Sequence, residues 1–377
     1  MLYLDAAATT PVRREALEAA WPYLTGTFGN PSSHHTAGEA AAAGLADARA
    51  RVATALGVRR SDVIFTSGGT EGANLAIKGL ALAAADAGRA RHVVTSSIEH
   101  EAVLDSVDFL VRRHGFEVSF ADPGSDGVVT PRALAAVLRP DTALVSLAYA
   151  NNEVGAVADV PALAEVAHSC GALLHTDAVQ AAGHLPLRDP GADALTISGH
   201  KLGAPKGIGA AMIRGRLPLE PLVHGGGQES GRRSGTENVA FAVALATALE
   251  LAEAEREETA VRLAALRDRF IGRVLACWDG AFLTGPAEPA RRHPAHASFC
   301  FPGRSGESIL LDLEGRGVLA SSGSACAAGS DEPSHVLTAI GIDQEVAQTA
   351  VRVTLGAGTT AADVEAAASA FESVLRG

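Results

Sequence analysis

Ala194-Leu-Thr-Ile-Ser-Gly-His-Lys201 is a short apolar run that breaks into a glycine turn and sets a lysine directly behind it. Five other stretches share its form. Asp62–Ser67, His92–Ser96, Thr142–Ala148, Gly171–Thr176 and Ile208–Ile213 are each short, apolar and closed by a polar or glycine-rich turn. Between them lie alanine-rich segments such as Pro131–Leu138 and Pro161–His168. These open on proline at a first helical position, where its missing N–H is no loss. Strand alternating with helix from about residue 60 to 215 predicts a mainly parallel sheet covered on both faces. In such sheets ligands bind beyond the carboxyl ends of the strands, so chemistry is expected in the turns that follow the runs.

Outward from this region, Gly225-Gly-Gly227 through Gly235 is a glycine-rich, arginine-bearing loop, and about 235–275 is rich in alanine, leucine and charge at helical spacing. That segment predicts a bridge to a second lobe, in keeping with a length of 377 residues. The expected division is a large domain over 15–250 and a smaller domain made of 1–14 and 251–377. No apolar run reaches the roughly 20 residues that span a bilayer, and the start, Met1-Leu-Tyr-Leu-Asp5, lacks a basic leader. The expected compartment is the cytoplasm, with no membrane contact. A net charge of −12 argues against a direct grip on nucleic acid. The four cysteines, Cys170, Cys277, Cys300 and Cys326, form no CxxC, which excludes a zinc ribbon and a disulfide framework.

Three strand-end turns carry the candidate chemistry. Ser67-Gly-Gly-Thr-Glu-Gly72 lets backbone approach a ligand closely and points the N-terminus of the next helix at it, which suits a phosphate, although such turns are also glycine-rich for steric reasons alone. Asp177 closes its run with Gln180 three residues on; it can cap a helix, or hold the protonated nitrogen of a pyridine ring. Lys201 stands behind Ser198-Gly-His200, and the chain's lysines number three: Lys78, Lys201 and Lys206. A phosphate cradle, an acid for a ring nitrogen and an amine for a Schiff base, in that order along one sheet edge, suit pyridoxal 5'-phosphate.

The motifs Asp5-Ala-Ala-Ala-Thr-Thr10, Gly29-Asn-Pro-Ser-Ser33, Thr66-Ser-Gly-Gly-Thr-Glu71, Glu99-His100, Asn151-Asn-Glu-Val-Gly155, Asp177, Gln180, Ser198-Gly-His-Lys201, Arg233-Ser-Gly-Thr236 and Ser321-Ser-Gly-Ser-Ala-Cys326 run in order over nearly the whole chain. In this the sequence resembles the cysteine desulfurases of the NifS/IscS type, class V enzymes of fold type I. The resemblance implies an α/β fold: a large domain with a mainly parallel seven-stranded sheet flanked by helices, plus a smaller α+β domain with a loop at about 321–333. It implies that Lys201 binds the cofactor aldehyde and moves the substrate Cα proton. Asp177 would pair with the ring nitrogen, Gln180 with the ring hydroxyl, and His100 would stack on the ring as an acid–base group. Gly69, Thr70, Ser198 and His200 would cradle the phosphate, with Thr236 reaching in from a second subunit of a homodimer. Asn151 would stand near the ring oxygen and the substrate, while Asn30 and Arg352 would hold the substrate carboxylate; a guanidinium grips a carboxylate in a fork.

Cys326 decides between reactions. It lies among small residues, Ser-Ser-Gly-Ser-Ala-Cys-Ala-Ala-Gly-Ser, that read as a loop, whereas Cys300 between Phe299 and Phe301 reads as core. The implied reaction converts L-cysteine to L-alanine and leaves the sulfur as a persulfide on Cys326 for a protein acceptor. The alternatives are a selenocysteine lyase or another class V enzyme, and an inactive docking partner in a sulfur-transfer complex. An aminotransferase has no use for a loop thiol, and an idle protein would lack the lysine, aspartate or cysteine that this chain retains. His293-Pro-Ala-His296 with Cys300 has a metal-like spacing but alternates as a strand, so no metal is expected. Relatives often have asparagine where this chain has Ala6, and those that feed iron–sulfur scaffolds often have a longer tail than Leu375-Arg-Gly377. Iron–sulfur assembly, tRNA thiolation and DNA phosphorothioation all stay open as destinations.

Overall fold

The structure is a computed structural model that describes residues 1–88, 91–322 and 333–376. Its centre is a seven-stranded sheet in the order Val63–Thr66, Gly209–Ile213, Ala194–Ser198, Leu173–Asp177, Thr142–Ala148, His92–Ser96, Glu117–Ala121. Gly209–Ile213 is antiparallel to both of its neighbours and every other adjacent pair is parallel. Side chains of a strand alternate between faces, and here both faces are dry. Phe65, Val94, Val145, Leu195 and Met212 enter one apolar core, and their sequence neighbours Ile64, Val93, Leu144, Ala194 and Ala211 enter the other. That is why the strands read as unbroken apolar runs.

The helices fill the two faces as the proline-led segments predict. Thr130 caps Pro131–Val137 by accepting from Ala133 N at 3.1 Å, and Asp159 caps Val160–Ser169 by accepting from Ala162 N at 3.1 Å. One strand has no counterpart among the expected runs. Glu117–Ala121 is an edge strand bonded only to His92–Ser96, and Glu117 and Phe120 are exposed, so its polar pattern hides it.

The helix Val239–Leu275 spans 37 residues, on the order of 55 Å at 1.5 Å per residue. Its first half, to Ala252, packs in the core of the large sheet; Leu263, Phe270 and Val274 belong to a second core. That second core covers a three-stranded antiparallel sheet in the order Val351–Thr354, His296–Cys300, Phe282–Leu283. Edge-on rings of Phe270, Phe299 and Phe371 fill it, with centroids 5.3–6.0 Å apart. Leu4 is buried there too, and Leu2–Tyr3 pairs with Val318–Leu319, so the N-terminus joins this body. No helix among the described residues is long and apolar enough to cross a membrane.

The strand Gly209–Ile213 is pressed against the turn before the helix Gly69–Asp86: a Cβ on Gly209 would lie 2.7 Å from the carbonyl carbon of Gly68 and 2.7 Å from the Ile197 oxygen. Backbone cannot yield as a side-chain tip can. Gly209→Ala is therefore expected to cost about 1–3 kcal/mol by forcing backbone shifts in a packed core. Urea unfolding would show a lowered midpoint; an unchanged midpoint would mean that the turn relaxes freely.

Candidate active site

A cleft of about 630 Å³ opens at the carboxyl edge of the large sheet. Its walls unite Gly69, Thr70, His100, Asn151, Asp177, Gln180, Ser198, His200, Lys201 and Arg352. Residues from six segments of the chain thus face one space.

One end is the turn Ser67-Gly68 and the helix Gly69–Asp86 that it starts. Gly69 is needed for close approach, since a Cβ there would fall 2.6 Å from Val179 Cγ2. Glu71 locks the turn: its carboxylate accepts from Ser67 N at 2.8 Å and from Arg233 Nε at 2.8 Å. Its pKa is lowered; burial raises it, and hydrogen bonds from Arg233 and Ser67 more than offset that. The first amides of the helix and the hydroxyls of Thr70 and Ser198 make this end a fitting anion cradle.

His200 and Lys201 lie on a 3-10 turn directly after the strand Ala194–Ser198. The His200 carbonyl accepts from Thr10 N at 2.9 Å and from Thr10 Oγ1 at 2.8 Å, and its Nδ1 is 3.1 Å from Thr9 Oγ1. Burial, then the nearby Lys201 and Lys206, pushes its pKa down to about 4, so the imidazole is neutral. Lys201 Nζ donates to the Ala7 carbonyl and, at 2.8 Å, to the Ala8 carbonyl. Gln180 Nε2 also donates to Ala7 O, at 3.0 Å.

Asp177 ends the strand Leu173–Asp177 on the cleft floor. Its Oδ1 accepts from Val179 N at 2.9 Å. Burial raises its pKa, while that hydrogen bond and the nearby His100 and Lys201 pull the other way. A cationic ring nitrogen would relieve a carboxylate so placed. His100 caps the helix Glu101–His114, its Nδ1 accepting from Ala102 N at 3.0 Å, so the neutral ring carries its proton on Nε2. Behind it, Glu99 is buried; Oε1 accepts from Ala148 N at 3.0 Å, and Oε2 meets no hydrogen-bond partner among the described residues.

Asn151 is on the wall, but its amide serves the backbone. Nδ2 donates to Ile98 O at 2.8 Å, and Oδ1 accepts from Glu153 N and Val154 N. What it can still offer the cleft is the second Nδ2 hydrogen. Arg352 comes from the smaller sheet; Nη2 is 2.8 Å from Asp5 Oδ1, and Nη1 donates to Asn152 O at 3.0 Å. The residues fit pyridoxal 5'-phosphate: an anion cradle that a Cβ would fill, a carboxylate and a lysine line one cleft.

Two of the expected site residues among the described residues are not on these walls. Asn30 is exposed, with its Oδ1 accepting from Ser32 N at 2.9 Å, and Thr236 is exposed as well. Cys326 lies outside the described residues. His293 and His296 are buried and donate to main-chain oxygens: Nε2 of His293 to Gln180 O at 2.9 Å, and Nε2 of His296 to Asn152 O at 3.1 Å. Among the described residues no group of three or more His, Cys, Asp or Glu is placed to hold a metal. Burial raises the thiol of Cys300 to about 12. Glu71, Arg233 and Asp5 join the site through ion pairs that their motifs alone do not reveal.

Residues 2–367 match the family model described as Aminotransferase class-V. A cysteine desulfurase IscS of Dictyoglomus turgidum is 43% identical over 376 residues, covering 99% of this chain and 94% of the relative. A solved structure described as a NifS-like protein superposes with a TM-score of 0.92 at 35% identity, over 100% of this chain and 99% of the other. A structure of SspA in complex with cysteine superposes with a TM-score of 0.81 at 34% identity, over 94% of this chain and 99% of the other.

Glu99 sets a pH dependence of its own. Burial is the main cause that raises its pKa to about 8 and Asp177 adds to it, against the Ala148 hydrogen bond and His100. An unfolded glutamate titrates near 4.5, so folding takes up a proton between those values. The stability this group contributes is full below pH 4.5 and is lost as pH rises towards 8. Glu99→Gln keeps an acceptor for Ala148 N–H and cannot ionise. The variant should therefore gain on the parent by on the order of 1 kcal/mol per pH unit between pH 6 and 8, then level off. Urea unfolding of both proteins across that range checks this, and a difference that stays flat with pH would refute it.

Proposed function

The chain belongs to the class-V aminotransferase family and, within it, to the cysteine desulfurases, and from that membership we propose that it converts L-cysteine to L-alanine with pyridoxal 5'-phosphate on Lys201 and sulfur on Cys326. The observation that carries this reading is the meeting of an anion cradle, Asp177, Lys201 and Arg352 in one cleft. When bound, the cofactor supplies an electron sink that makes the substrate Cα–H acidic and its Cβ–S bond labile.

The chain's own residues do the rest. Lys201, which lines the cleft with the cradle and Asp177, would attach the cofactor and move the substrate Cα proton with its Nζ. Asp177 would keep a proton on the ring nitrogen, and Gln180 and Asn151 would serve the ring oxygen. His100 would stand against the ring with its proton on Nε2. Gly69, Thr70, Ser198 and His200 would fasten the phosphate. Arg352 turns a guanidinium edge to the substrate carboxylate, and Asn30 is its proposed helper at the mouth. The Cys326 thiolate attacks the substrate sulfur; the Cβ–S bond breaks, its electron pair stays on Cβ, and Cβ takes up a proton. The products are L-alanine and a Cys326 persulfide, whose outer sulfur passes to a protein acceptor.

The same reading makes the enzyme a cytoplasmic homodimer in which the exposed Thr236 of each subunit completes the partner's phosphate site. It divides the chain into a large domain, 15–250, and a small one, 1–14 and 251–377. That division is favoured by the passage of the long helix from one core to the other between Ala252 and Leu263.

The purified protein should show the visible absorption of lysine-bound cofactor and, with L-cysteine and a thiol reductant, release alanine and sulfide in equal amounts. Lys201→Ala is expected to lose both the absorption and turnover. Cys326→Ser should keep the absorption and lose more than about 100-fold in sulfide release, as removal of a covalent nucleophile does. Full sulfide release by that variant would overturn the role of Cys326, and a protein that takes up no cofactor would overturn the whole reading.

A further inference from the structure

The phosphate end of the cleft holds one lysine without a task in the reaction above. Lys206 lies on the connection between the 3-10 turn Gly199–Lys201 and the strand Gly209–Ile213, and it lines the cleft with Ser67, Gly68, Gly69, Thr70 and His200. That connection is held tightly in place. Gly199 N donates to Ile208 O at 2.9 Å, and Gly209 touches the Gly68 backbone so closely that no Cβ fits between them.

Charge is the argument for a role. A phosphate monoester carries about −1.5 to −2 at neutral pH. The helix at Gly69 offers about half a positive charge, and Thr70, Ser198 and the neutral His200 offer only dipoles. The other ionisable side chains of the cleft are engaged: Glu71 with Arg233, Arg352 with Asp5, Lys201 with the Ala7 and Ala8 carbonyls, and Asp177 with Val179 N–H. Lys206 makes no hydrogen bond or ion pair among the described residues, and it is close enough to His200 to act on it electrostatically. Lys78, the remaining lysine, is tied elsewhere, to Asn74 Oδ1 and over the Phe109 ring.

We propose that Lys206 is a phosphate-binding residue, its ammonium closing the solvent side of the cradle against the cofactor's phosphate. This rests on the pyridoxal phosphate reading given above. Lysine suits the task because a point charge on a flexible stem needs no fixed approach angle.

The test compares two cofactors on full-length protein stripped of bound aldehyde: pyridoxal 5'-phosphate, and pyridoxal, which has no phosphate. Lys206→Gln is expected to weaken uptake of pyridoxal phosphate roughly tenfold at low salt, the size of one charge-assisted contact. The deficit should shrink as salt rises, and Lys206→Arg should restore most of it. Binding of pyridoxal should be the same in parent and variant, which also shows that the variant is folded. Equal affinity of parent and Lys206→Gln for pyridoxal phosphate would overturn the inference, and so would an equal loss for both cofactors. If the parent itself takes up no pyridoxal phosphate, the functional reading falls, and this inference falls with it.

Discussion

Three adjacent parallel strands determine where the chemistry can stand. Ala148 and Asp177, each the last residue of its strand, pair with one another, and Asp177 pairs with Thr196, two residues before the end of Ala194–Ser198, at the spacing of a sheet, roughly 4.8 Å. The fourth member, Gly209–Ile213, runs the other way and therefore begins at the edge where the others stop. Its link to Ala194–Ser198 is thus a hairpin connection at the carboxyl edge, and that one connection carries His200, Lys201 and Lys206. Beyond it the strand Val63–Thr66 delivers the cradle to the same edge. A single reversed strand brings the amine and the anion site together, where a helical crossover would have held them apart.

The electrostatics of the cleft follow from pairing most charges before any ligand arrives. Glu71 is neutralised by Arg233, Asp5 by Arg352, and Glu99 stays protonated at neutral pH. Glu99 and Asp177 are both acids close beneath His100. Two buried carboxylates near each other cannot both ionise cheaply. Glu99 holds the proton, while the Val179 hydrogen bond, His100 and Lys201 act against the rise that burial causes at Asp177. Each carboxylate accepts one backbone N–H, Glu99 Oε1 from Ala148 and Asp177 Oδ1 from Val179.

Much of this was legible in the sequence because the sheet is buried on both faces and the cleft residues sit at strand ends. Val63–Thr66, Thr142–Ala148 and Ala194–Ser198 each stand out as apolar runs with a turn behind them, and Lys201 stands out in a chain with three lysines. What stayed hidden has physical causes. Glu117–Ala121 is half wet, so its composition resembles a loop. The joining of Asp5 to Arg352 spans 347 residues, and no local pattern encodes such a contact. Asn151 illustrates the opposite failure. Its motif was visible, but the three backbone bonds that occupy its side chain come from the turn Asn152–Gly155 and from Ile98, and only coordinates reveal them.

The N-terminal segment explains how the two bodies share one site. Thr354, on the strand Val351–Thr354, holds it three times: Thr354 N donates to Leu4 O at 2.8 Å, Ala6 N donates to Thr354 O at 3.3 Å, and Ala7 N donates to Thr354 Oγ1 at 2.9 Å. The next carbonyls, of Ala7 and Ala8, receive Lys201, and Thr10 then bonds the His200 carbonyl. Arg352 is two residues before Thr354, on the same face of the same strand. The proposed grip on the substrate carboxylate and the partners that hold the lysine therefore hang from one strand of the smaller sheet. A shift of that strand relative to the large sheet moves both at once. Ala6, with no side-chain donor or acceptor of its own, leaves the coupling to backbone hydrogen bonds and to Thr354.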